Sequence, residues 1–336
     1  MGLGRRLYRG EIDIDFVGRW KLWYSLSGFL LIISIAGLLI NGLNLGVEFK
    51  GGSVISFKPA VTTTVQDVRA TFLEQGVHQP IVQTTNERYR ITSEDLSEAT
   101  TTKLQEVIKQ KYDVKGEIDV QSIGASWGGE VSQKAWIGLG VFMLAIILYL
   151  SMAFEPKMAL AAIVALVHDL VITAGIYAWS GFEVTPATLL GFLTILGYSL
   201  YDAVVVFDMI KEVTAKLGTT SKQTYSMAAN NALSHTLIRS LNTSLVAILP
   251  VAAILFIGTT LLGAGTLKDL SLALFVGMIV GTYSSLCVAT PLLVTLKERE
   301  PKYQAIARRV AAASGGGGKK PGKGSKGSEN AAVAKG

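Results

Sequence analysis

Ionisable side chains interrupt three of the long apolar stretches of this sequence. His168 and Asp169 lie near the middle of one stretch, Asp202 lies in the next, and Arg239 stands near the start of the one after that. A charged group inside a membrane helix is costly, so it is interpreted first as part of an ion or proton pathway. Burial raises the pKa of a carboxyl group and a neighbouring guanidinium lowers it, and such a pair can exchange a proton when helices move. We predict that Asp202, Arg239 and Asp169 form a proton relay, with Asp202 facing Arg239.

Hydroxyl and amide side chains accompany these charges at helical spacing, and residues four apart share one face of a helix. We predict that a polar path supports the relay and contains Tyr198, Ser199, Asn242, Thr243, Thr282, Ser284 and Ser285. Alternatives remain open at this point. Asp202 and Arg239 can form a static ion pair that fixes the helix register, and hydroxyl groups in membrane helices often only hold neighbouring helices together. His168 can simply bond a neighbouring carbonyl group, and its role is left open.

The composition indicates that most of these residues lie in lipid. Of the 336 residues, 50% are apolar and only 17% are charged, whereas soluble proteins carry about 25% charged residues. The mean hydropathy is +0.42. Six apolar stretches are long enough to cross a bilayer as helices; they cover residues 22–42, 135–153, 158–179, 187–208, 238–262 and 270–294. The first stretch precedes no small-residue cleavage site, so it is predicted to be an uncleaved anchor.

The basic residues predict the orientation of these helices, because cytoplasmic segments are enriched in Lys and Arg. Residues 297–336 contain ten Lys and Arg and three Glu, and they account for the net charge of +6. A turn at 154–157 and a loop at 209–237, which carries three lysines, fall on the same side as both termini. We therefore predict that the N- and C-termini are cytoplasmic and that residues 43–134 lie outside the membrane.

Residues 43–134 have the patterning of a soluble domain. The patterns follow the order βαββαβ, with strands at 54–57, 81–84, 89–92 and 118–123 and helices at 63–75 and 95–111. A turn at Asn86 and Glu87 separates the second and third strands. This order is typical of ferredoxin-like domains. The predicted fold is therefore an α-helical membrane protein with six transmembrane helices plus one α+β (ferredoxin-like) extracytoplasmic domain.

The predicted organisation of the chain has five parts. They are a cytoplasmic N-terminus at 1–21, the first transmembrane helix at 22–42, the extracytoplasmic domain at 43–134, a bundle of five further helices at 135–296, and a tail at 297–336. The end of the tail is rich in Gly, Lys and Ser and has little apolar surface to bury, so the tail is predicted to be flexible, basic and cytoplasmic.

Several classes of function are not predicted. The single cysteine, Cys287, excludes an internal disulfide, and three scattered histidines do not form a metal-binding pattern. No phosphate-binding loop or nucleophile triad is recognisable, so no enzymatic activity, metal or cofactor is expected. The positive charge lies in the tail without a folded nucleic-acid-binding motif, so nucleic-acid binding is not expected either.

Four segments resemble motifs of the SecD/SecF family of membrane proteins, and specifically of its SecF branch. They are GLNLGVEFKGG at 42–52, LGYSLYDAVVVFD at 196–208, TLIRSLNTS at 236–244 and GTYSS at 281–285. They occur in the family order and the resemblance covers about residues 15–296. By motif position, Asp202 and Arg239 fall on the residues that this family uses for proton transport, and Asp169 falls in the third-helix motif.

The resemblance implies a multi-pass protein of the bacterial plasma membrane that is related to proton-driven exporters of the RND superfamily. It implies a heterodimer with SecD, association with the SecYEG channel, SecA and a YidC-type insertase, and an unfolded preprotein as cargo. The implied function is the use of the proton-motive force to promote late stages of protein export. Two alternatives remain: half of an RND-type small-molecule exporter, whose chains usually carry two large outer domains, and a structural scaffold subunit of the translocon.

Overall fold

The structure is a computed structural model and describes residues 15–78, 80–85, 88–114, 116–218, 222–258 and 265–315. Within this part of the chain six helices are long and apolar enough to cross a membrane, which confirms the predicted number. Spans 1 to 6 are Trp20–Ile40, Ala125–Ala153, Pro156–Ser180, Pro186–Ala215, Tyr225–Gly258 and Leu267–Glu298. We call the end of the bundle that carries the extra domain the domain end, and the opposite end, where span 1 begins and span 6 finishes, the terminal end.

Several spans extend beyond the apolar stretches, because a helix can continue after the residues that suit lipid have ended. Span 5 begins at Tyr225, where the side chain of Thr224 accepts a hydrogen bond from the backbone N–H of Met227 and caps the helix. Span 4 continues to Ala215. The predicted loop at 209–237 is therefore wrong, since residues 216–224 alone separate the two helices.

The chain between spans 1 and 2 forms the predicted sheet domain. Its elements are β1 (Asn44–Leu45), α1 (Val47–Lys50), β2 (Gly52–Phe57), α2 (Val65–Glu74), β3 (Ile81–Thr85), β4 (Arg88–Ser93), α3 (Glu98–Tyr112) and β5 (Asp119–Ile123). The last four strands form an antiparallel sheet in the order β3-β4-β2-β5. Phe57, Phe72, Leu104 and Ile108 are buried between this sheet and the two longer helices. The ferredoxin-like βαββαβ prediction is confirmed.

Two contacts that the sequence did not predict attach this domain to the bundle. Strand β1 pairs in parallel with β6 (Glu183–Val184), which lies in the connection between spans 3 and 4. Arg90 of β4 forms an ion pair with Glu183, with 3.1 Å between Nη2 and Oε2.

Within the domain, close packing fixes the start of β2. A Cβ on Gly52 would lie 2.4 Å from the Ser93 carbonyl oxygen, and Gly52 has a φ of +135°, so only glycine fits there without strain.

A further helix, α4 (Pro301–Gly315), follows span 6. Ile306 is buried, and the ring of Tyr303 lies 4.5 Å from the ring of Tyr225 at the start of span 5. The prediction of a flexible tail from residue 297 is therefore wrong for this segment, because the helix has an apolar side that packs on the bundle. The predicted N-terminal segment up to residue 14, the turn at Asn86 and Glu87 and the tail beyond residue 315 lie outside the described residues.

An ionic network at the terminal end joins the turn between spans 2 and 3 to the end of span 6. Lys297, which is buried, forms ion pairs with Glu155 and with Glu300, the latter at 3.3 Å. Lys157 pairs with Glu300 at 3.1 Å and donates a hydrogen bond to the Leu296 carbonyl. Buried charges are stable only when they are paired and hydrogen-bonded, and this network satisfies both conditions for Lys297.

Spans 3, 4 and 6 form the centre of the bundle, while spans 1, 2 and 5 are the most exposed. Small residues allow close approach, as is common between membrane helices. A Cβ on Gly175 of span 3 would lie 2.2 Å from the Cβ of Ser34 in span 1, and a Cβ on Gly277 of span 6 would lie 2.0 Å from Ile195 in span 4. The polar residues of the central spans therefore face one another across short distances.

Candidate functional site

A change of helix type in span 6 places one side of the candidate site. Residues Ser285–Ala289 form a π-helical turn, and Pro291 follows two residues later. Proline has no N–H and its ring clashes with the carbonyl group four residues earlier, so the regular α-helical ladder cannot pass through it. The hydroxyl of Thr290 donates to the carbonyl of Ser285 at 3.0 Å and satisfies part of this ladder. Such turns are frequent at functional sites because they reorient single side chains.

Asp202 of span 4 lies inside the bundle with two serine partners. Ser240 of span 5 donates its hydroxyl to Oδ1 at 2.5 Å, and Ser285 of the π turn donates to Oδ2. All three side chains are buried. We call these residues the Asp202 cluster. Ser285 was a predicted path residue, whereas Ser240 was not predicted to belong to the site.

The predicted ion pair between Asp202 and Arg239 is not formed among the described residues, so this expectation is wrong for the chain by itself. Successive residues of an α-helix point about 100° apart because the helix has 3.6 residues per turn. Span 5 turns Ser240 towards Asp202, and Arg239 is exposed on the outside of the bundle. Thr243, on the same face as Arg239, donates its hydroxyl to the Arg239 carbonyl at 2.9 Å.

Asp169 of span 3 forms a second buried cluster. Its Oδ1 lies 3.0 Å from Nδ1 of His168, and its Oδ2 accepts a hydrogen bond from Ser199 of span 4 at 2.5 Å. His168, Asp169 and Ser199 are all buried. We call them the Asp169 cluster. The two clusters are neighbours, because Ser199 and Asp202 are one helical turn apart on span 4.

A third polar group lies one turn closer to the domain end. Tyr198 of span 4 and Thr282 of span 6 each donate a hydroxyl hydrogen bond to the Ser244 hydroxyl of span 5, both at 2.9 Å. Ser244, which the sequence did not place in the site, thus joins two residues that it did. The signal was its spacing of four residues from Ser240 on one face of span 5.

Of the remaining predicted path residues, Ser284 interacts with the Asp169 carboxyl group of the second cluster, whereas Asn242 and Thr243 lie apart from both clusters. Asn242 is exposed and Thr243 is half-buried on the outer side of span 5. Ser284 is fully buried next to the π turn and donates its hydroxyl to the Gly281 carbonyl at 3.3 Å. Among the described residues, no group of three or more His, Cys, Asp or Glu side chains is arranged to hold a metal ion.

The chemistry of the Asp202 cluster allows its carboxyl group to change protonation state in place. A hydroxyl group can donate to an ionised carboxylate or accept from a protonated one, and it switches by rotation. Ser240 and Ser285 can therefore remain bonded to Asp202 in both states. A buried carboxylate with hydroxyl partners but no cation pays several kcal/mol in desolvation, and either a proton or an approaching cation relieves this cost.

Comparisons with known proteins are consistent with one family over almost the whole chain. Residues 103–299 match the family described as protein export membrane protein SecD/SecF, C-terminal, and residues 36–59 match the SecD/SecF GG motif. The protein translocase subunit SecF of Streptomyces coelicolor is 47% identical over 314 residues, which cover 92% of this chain and 84% of that protein. The SecF subunit of Mycobacterium tuberculosis is 40% identical over 91% of this chain and 72% of its own.

A solved structure extends the likeness to the fold. The crystal structure of SecDF, a translocon-associated membrane protein from Thermus thermophilus, superposes with a TM-score of 0.78 and 29% identity. The superposition covers 88% of this chain but 42% of that chain, so the SecDF protein is more than twice as long as the matched part.

Proposed function

Because the chain belongs to the SecF family of protein translocase subunits, we propose that it works with SecD as a proton-driven subunit of the export machinery. Its role in protein export follows from the family. The proposal adds that the pair uses the proton-motive force to promote late stages of export through a SecYEG channel. These stages follow the step in which SecA pushes the unfolded preprotein through the channel. A YidC-type insertase is a further proposed partner. The single observation that carries it is the buried Asp202 carboxyl group, held by two hydroxyl groups.

The proposed orientation places the terminal end in the cytoplasm and the ferredoxin-like domain outside. Among the described residues, the terminal end carries several basic side chains, in agreement with the enrichment of Lys and Arg on the cytoplasmic side; they are Arg19, Lys21, Arg299, Lys302, Arg308 and Arg309. In this orientation the hydrogen-bonded hydroxyl groups of Tyr198, Thr282 and Ser244 lie on the outer side of the Asp202 cluster. Protons enter from outside past these hydroxyl groups and reach Asp202, and Ser199, one turn away on span 4, connects this site to Asp169 on span 3.

The exposed position of Arg239 supports a relay that is shared between two subunits. Arg239 is the fifteenth residue of the 34-residue span 5, so its guanidinium lies near the middle of the membrane-length helix. A guanidinium that faces lipid at this depth costs at least about 2.5 kcal/mol. A carboxylate of SecD placed against span 5 removes this cost. Arg239 thus serves the relay from the face that the companion subunit covers, and not as the internal partner of Asp202.

The energy of proton movement is sufficient to bias the helices. One elementary charge that crosses 100 mV yields about 2.3 kcal/mol. This is comparable with one to two net hydrogen bonds to a charged group. Neutralisation of Asp202 changes the strength of its bonds to spans 5 and 6, and the altered packing of these helices moves the outer domain.

The substitution Asp202→Asn tests the proposal, because asparagine keeps the size and hydrogen-bonding capacity but binds no proton. In membrane vesicles that contain the SecD partner, we expect proton flux to fall about 100-fold or more, the effect typical of a lost proton-transfer group. Proton-dependent stimulation of export is lost with it, and SecD still co-purifies. Asp208→Asn, on the exposed side of the same helix, is the matched control.

Unchanged flux and export in the Asp202→Asn variant would overturn the proposal. Normal export in a variant with alanine at both Asp202 and Arg239 would instead support a scaffold subunit.

A further inference from the structure

His168 is a buried titratable group with one nitrogen engaged and one free of protein partners. Nδ1 lies 3.0 Å from Oδ1 of Asp169, while Nε2 is buried and has no hydrogen-bond partner among the described residues. A neutral imidazole that donates from Nδ1 to a carboxylate keeps its acceptor lone pair on Nε2. A histidine that only holds helices together normally satisfies both nitrogens, since an unsatisfied buried polar atom costs about 1–3 kcal/mol.

The surroundings of the imidazole contain a second unsatisfied polar atom. The ring of Tyr283 in span 6 lies 6.3 Å from the His168 ring, and Trp23 of span 1 packs edge-on against the same tyrosine at 6.4 Å. The indole N–H of Trp23 is buried without a hydrogen-bond partner. Two rings that pack against Tyr283 thus each carry a buried nitrogen without a hydrogen-bond partner, an acceptor on His168 and a donor on Trp23.

Hydroxyl groups continue from this tyrosine towards the terminal end. The Tyr283 hydroxyl is 2.8 Å from the Ser27 hydroxyl of span 1. One helical turn along span 1, the hydroxyl of Tyr24 lies 3.5 Å from that of Thr295 in span 6. Thr295 lines a cavity of about 970 Å³ at the terminal end, whose other polar lining residues include Asn230, Asn231, Gln223 and Glu298.

We propose that the His168–Asp169 pair is a second proton-binding site of the bundle, which exchanges protons with the cavity at the terminal end along the hydroxyl groups of spans 1 and 6. The inference rests on the proposed function. A proton from water in the cavity binds Nε2, and the resulting imidazolium pairs with the Asp169 carboxylate; loss of the same proton restores the neutral ring. Protonation breaks one O–H bond of hydronium in the cavity and forms the Nε2–H bond, deprotonation reverses both changes, and no other reactant is needed.

The groups around His168 are neutral except for Asp169, so the charge of a protonated imidazole is balanced within the His168–Asp169 pair. Asp169 is the charged side chain that the described residues bring against the imidazole, from its own helix. Span 6 contributes the phenol of Tyr283 and, next to it, the thiol of Cys287. Span 4 contributes the neutral hydroxyl of Ser199, which is bonded to Asp169. A proton on Nε2 therefore turns an unpaired buried carboxylate into an ion pair, which stabilises both groups.

Proton flux in vesicles that contain the complex with its SecD partner tests the proposal. His168→Gln retains hydrogen bonding without a titratable ring, and we expect flux to fall about 100-fold or more. Tyr283→Phe keeps the ring but removes the hydroxyl, and we expect a smaller loss of flux with unchanged SecD binding. His235→Gln, at an exposed position of span 5, is the matched control and keeps the wild-type flux.

Two further measurements separate the possible outcomes. The 15N resonances of His168 in labelled protein should show an imidazolium that forms as the pH on the terminal side falls, and slower exchange in the Tyr283→Phe variant. Wild-type flux in both the His168→Gln and Tyr283→Phe variants, while Asp202→Asn abolishes flux, overturns this inference alone. Wild-type flux in Asp202→Asn as well overturns the proposed function. If His168→Gln fails to fold, the Tyr283→Phe result and the 15N titration decide.

Discussion

Removal of Arg90 should loosen the ferredoxin-like domain more than removal of its ion-pair partner. Arg90 lies 3.1 Å from Glu183, and its charge also acts on Asp269 at the start of span 6. Glu48 of α1 faces the same group of carboxylates and has a buried oxygen without a partner. Arg90→Met leaves the carboxylates of Glu48, Glu183 and Asp269 without the guanidinium, and Lys268, which acts on Asp269, is then the remaining positive charge among these groups. Glu183→Gln instead leaves the guanidinium near the two carboxylates of Glu48 and Asp269. The two variants therefore differ in the charge that they leave unbalanced.

The exposure of the pair sets the size of the effect. The side chains of Arg90 and Glu183 are 36% and 13% exposed. An exposed ion pair contributes about 0.2–1 kcal/mol, and breaking a fully buried one costs about 3–5 kcal/mol. We expect the free energy of unfolding to fall by about 2 kcal/mol in Arg90→Met and by less than about 1 kcal/mol in Glu183→Gln, because solvent screens the arginine.

The pH dependence gives a second signature. Burial raises the pKa of Glu183, Arg90 opposes this, and the carboxylates of Glu48 and Asp269 raise it further, so that the pKa lies above the ordinary value of 4.5. A carboxyl group whose pKa is raised on folding stabilises the fold at low pH, and that stability is lost as the pH rises through the pKa of the folded state. Arg90→Met should enlarge this loss, and Glu183→Gln should remove it.

Thermal unfolding of the purified chain in detergent, from pH about 4 to neutrality, measures both effects, and about 2 kcal/mol corresponds to a shift of a few degrees. Arg88→Met is the matched control, because Arg88 lies two residues away on β4 and is exposed. Equal destabilisation by Arg90→Met and Glu183→Gln, or pH slopes that neither variant changes, would refute the reasoning about unbalanced charge.

Two further predictions concern the bundle. Gly175→Ala should lower the free energy of unfolding by about 1–3 kcal/mol, as overpacking typically does, because the new Cβ would lie 2.2 Å from that of Ser34. Gly140→Ala is the control: no atom lies within 4 Å of its new Cβ, so the unfolding temperature should not change in the same assay. Burial opposes ionisation of Glu300, but two lysine ammonium groups outweigh it and lower the pKa below 4.5. The pairing of Glu300 therefore stabilises the fold above that pH and is lost in acid. Glu300→Gln should have a lower free energy of unfolding than the wild type at neutral pH, and the difference should shrink in acid. A difference that stays constant down to pH about 3 would contradict this prediction.

The sequence predicted the spans and the sheet because periodicity and hydropathy report whether a residue faces lipid, water or a core. It also identified Asp169 and Asp202 as buried carboxyl groups, since a carboxylate in an apolar run faces the bundle interior. The partner of Asp202 was beyond this reasoning. Neighbouring residues of span 5 differ by a rotation of about 100°, and nothing in the sequence of one helix states whether Ser240 or Arg239 meets span 4.

The attachment of the ferredoxin-like domain to the bundle could not be predicted from the sequence either. β1 and β6 have two residues each, too short for any alternation to be recognised, and their pairing depends on the distance between chain segments more than 130 residues apart. The π turn at Ser285–Ala289 had one signal, Pro291, because proline breaks the regular helical ladder. Such contacts arise only when whole helices are packed, so sequence patterns within one element do not reveal them.

Under the proposed function, the same attachment is the route by which a proton bound in the bundle would act on the ferredoxin-like domain. Spans 3 and 4 carry Asp169 and Asp202, and the bond between Ser199 and Asp169 joins these two spans directly. Their connection at 181–185 is only five residues long and contains β6, which pairs with β1 of the ferredoxin-like domain. A change in the spacing of spans 3 and 4 therefore moves β6, since a connection of five residues cannot absorb the change by bending. The spans that carry the carboxyl groups and the ferredoxin-like domain are thus linked through backbone pairing, and Arg90 adds an ion pair with Glu183 at the same place.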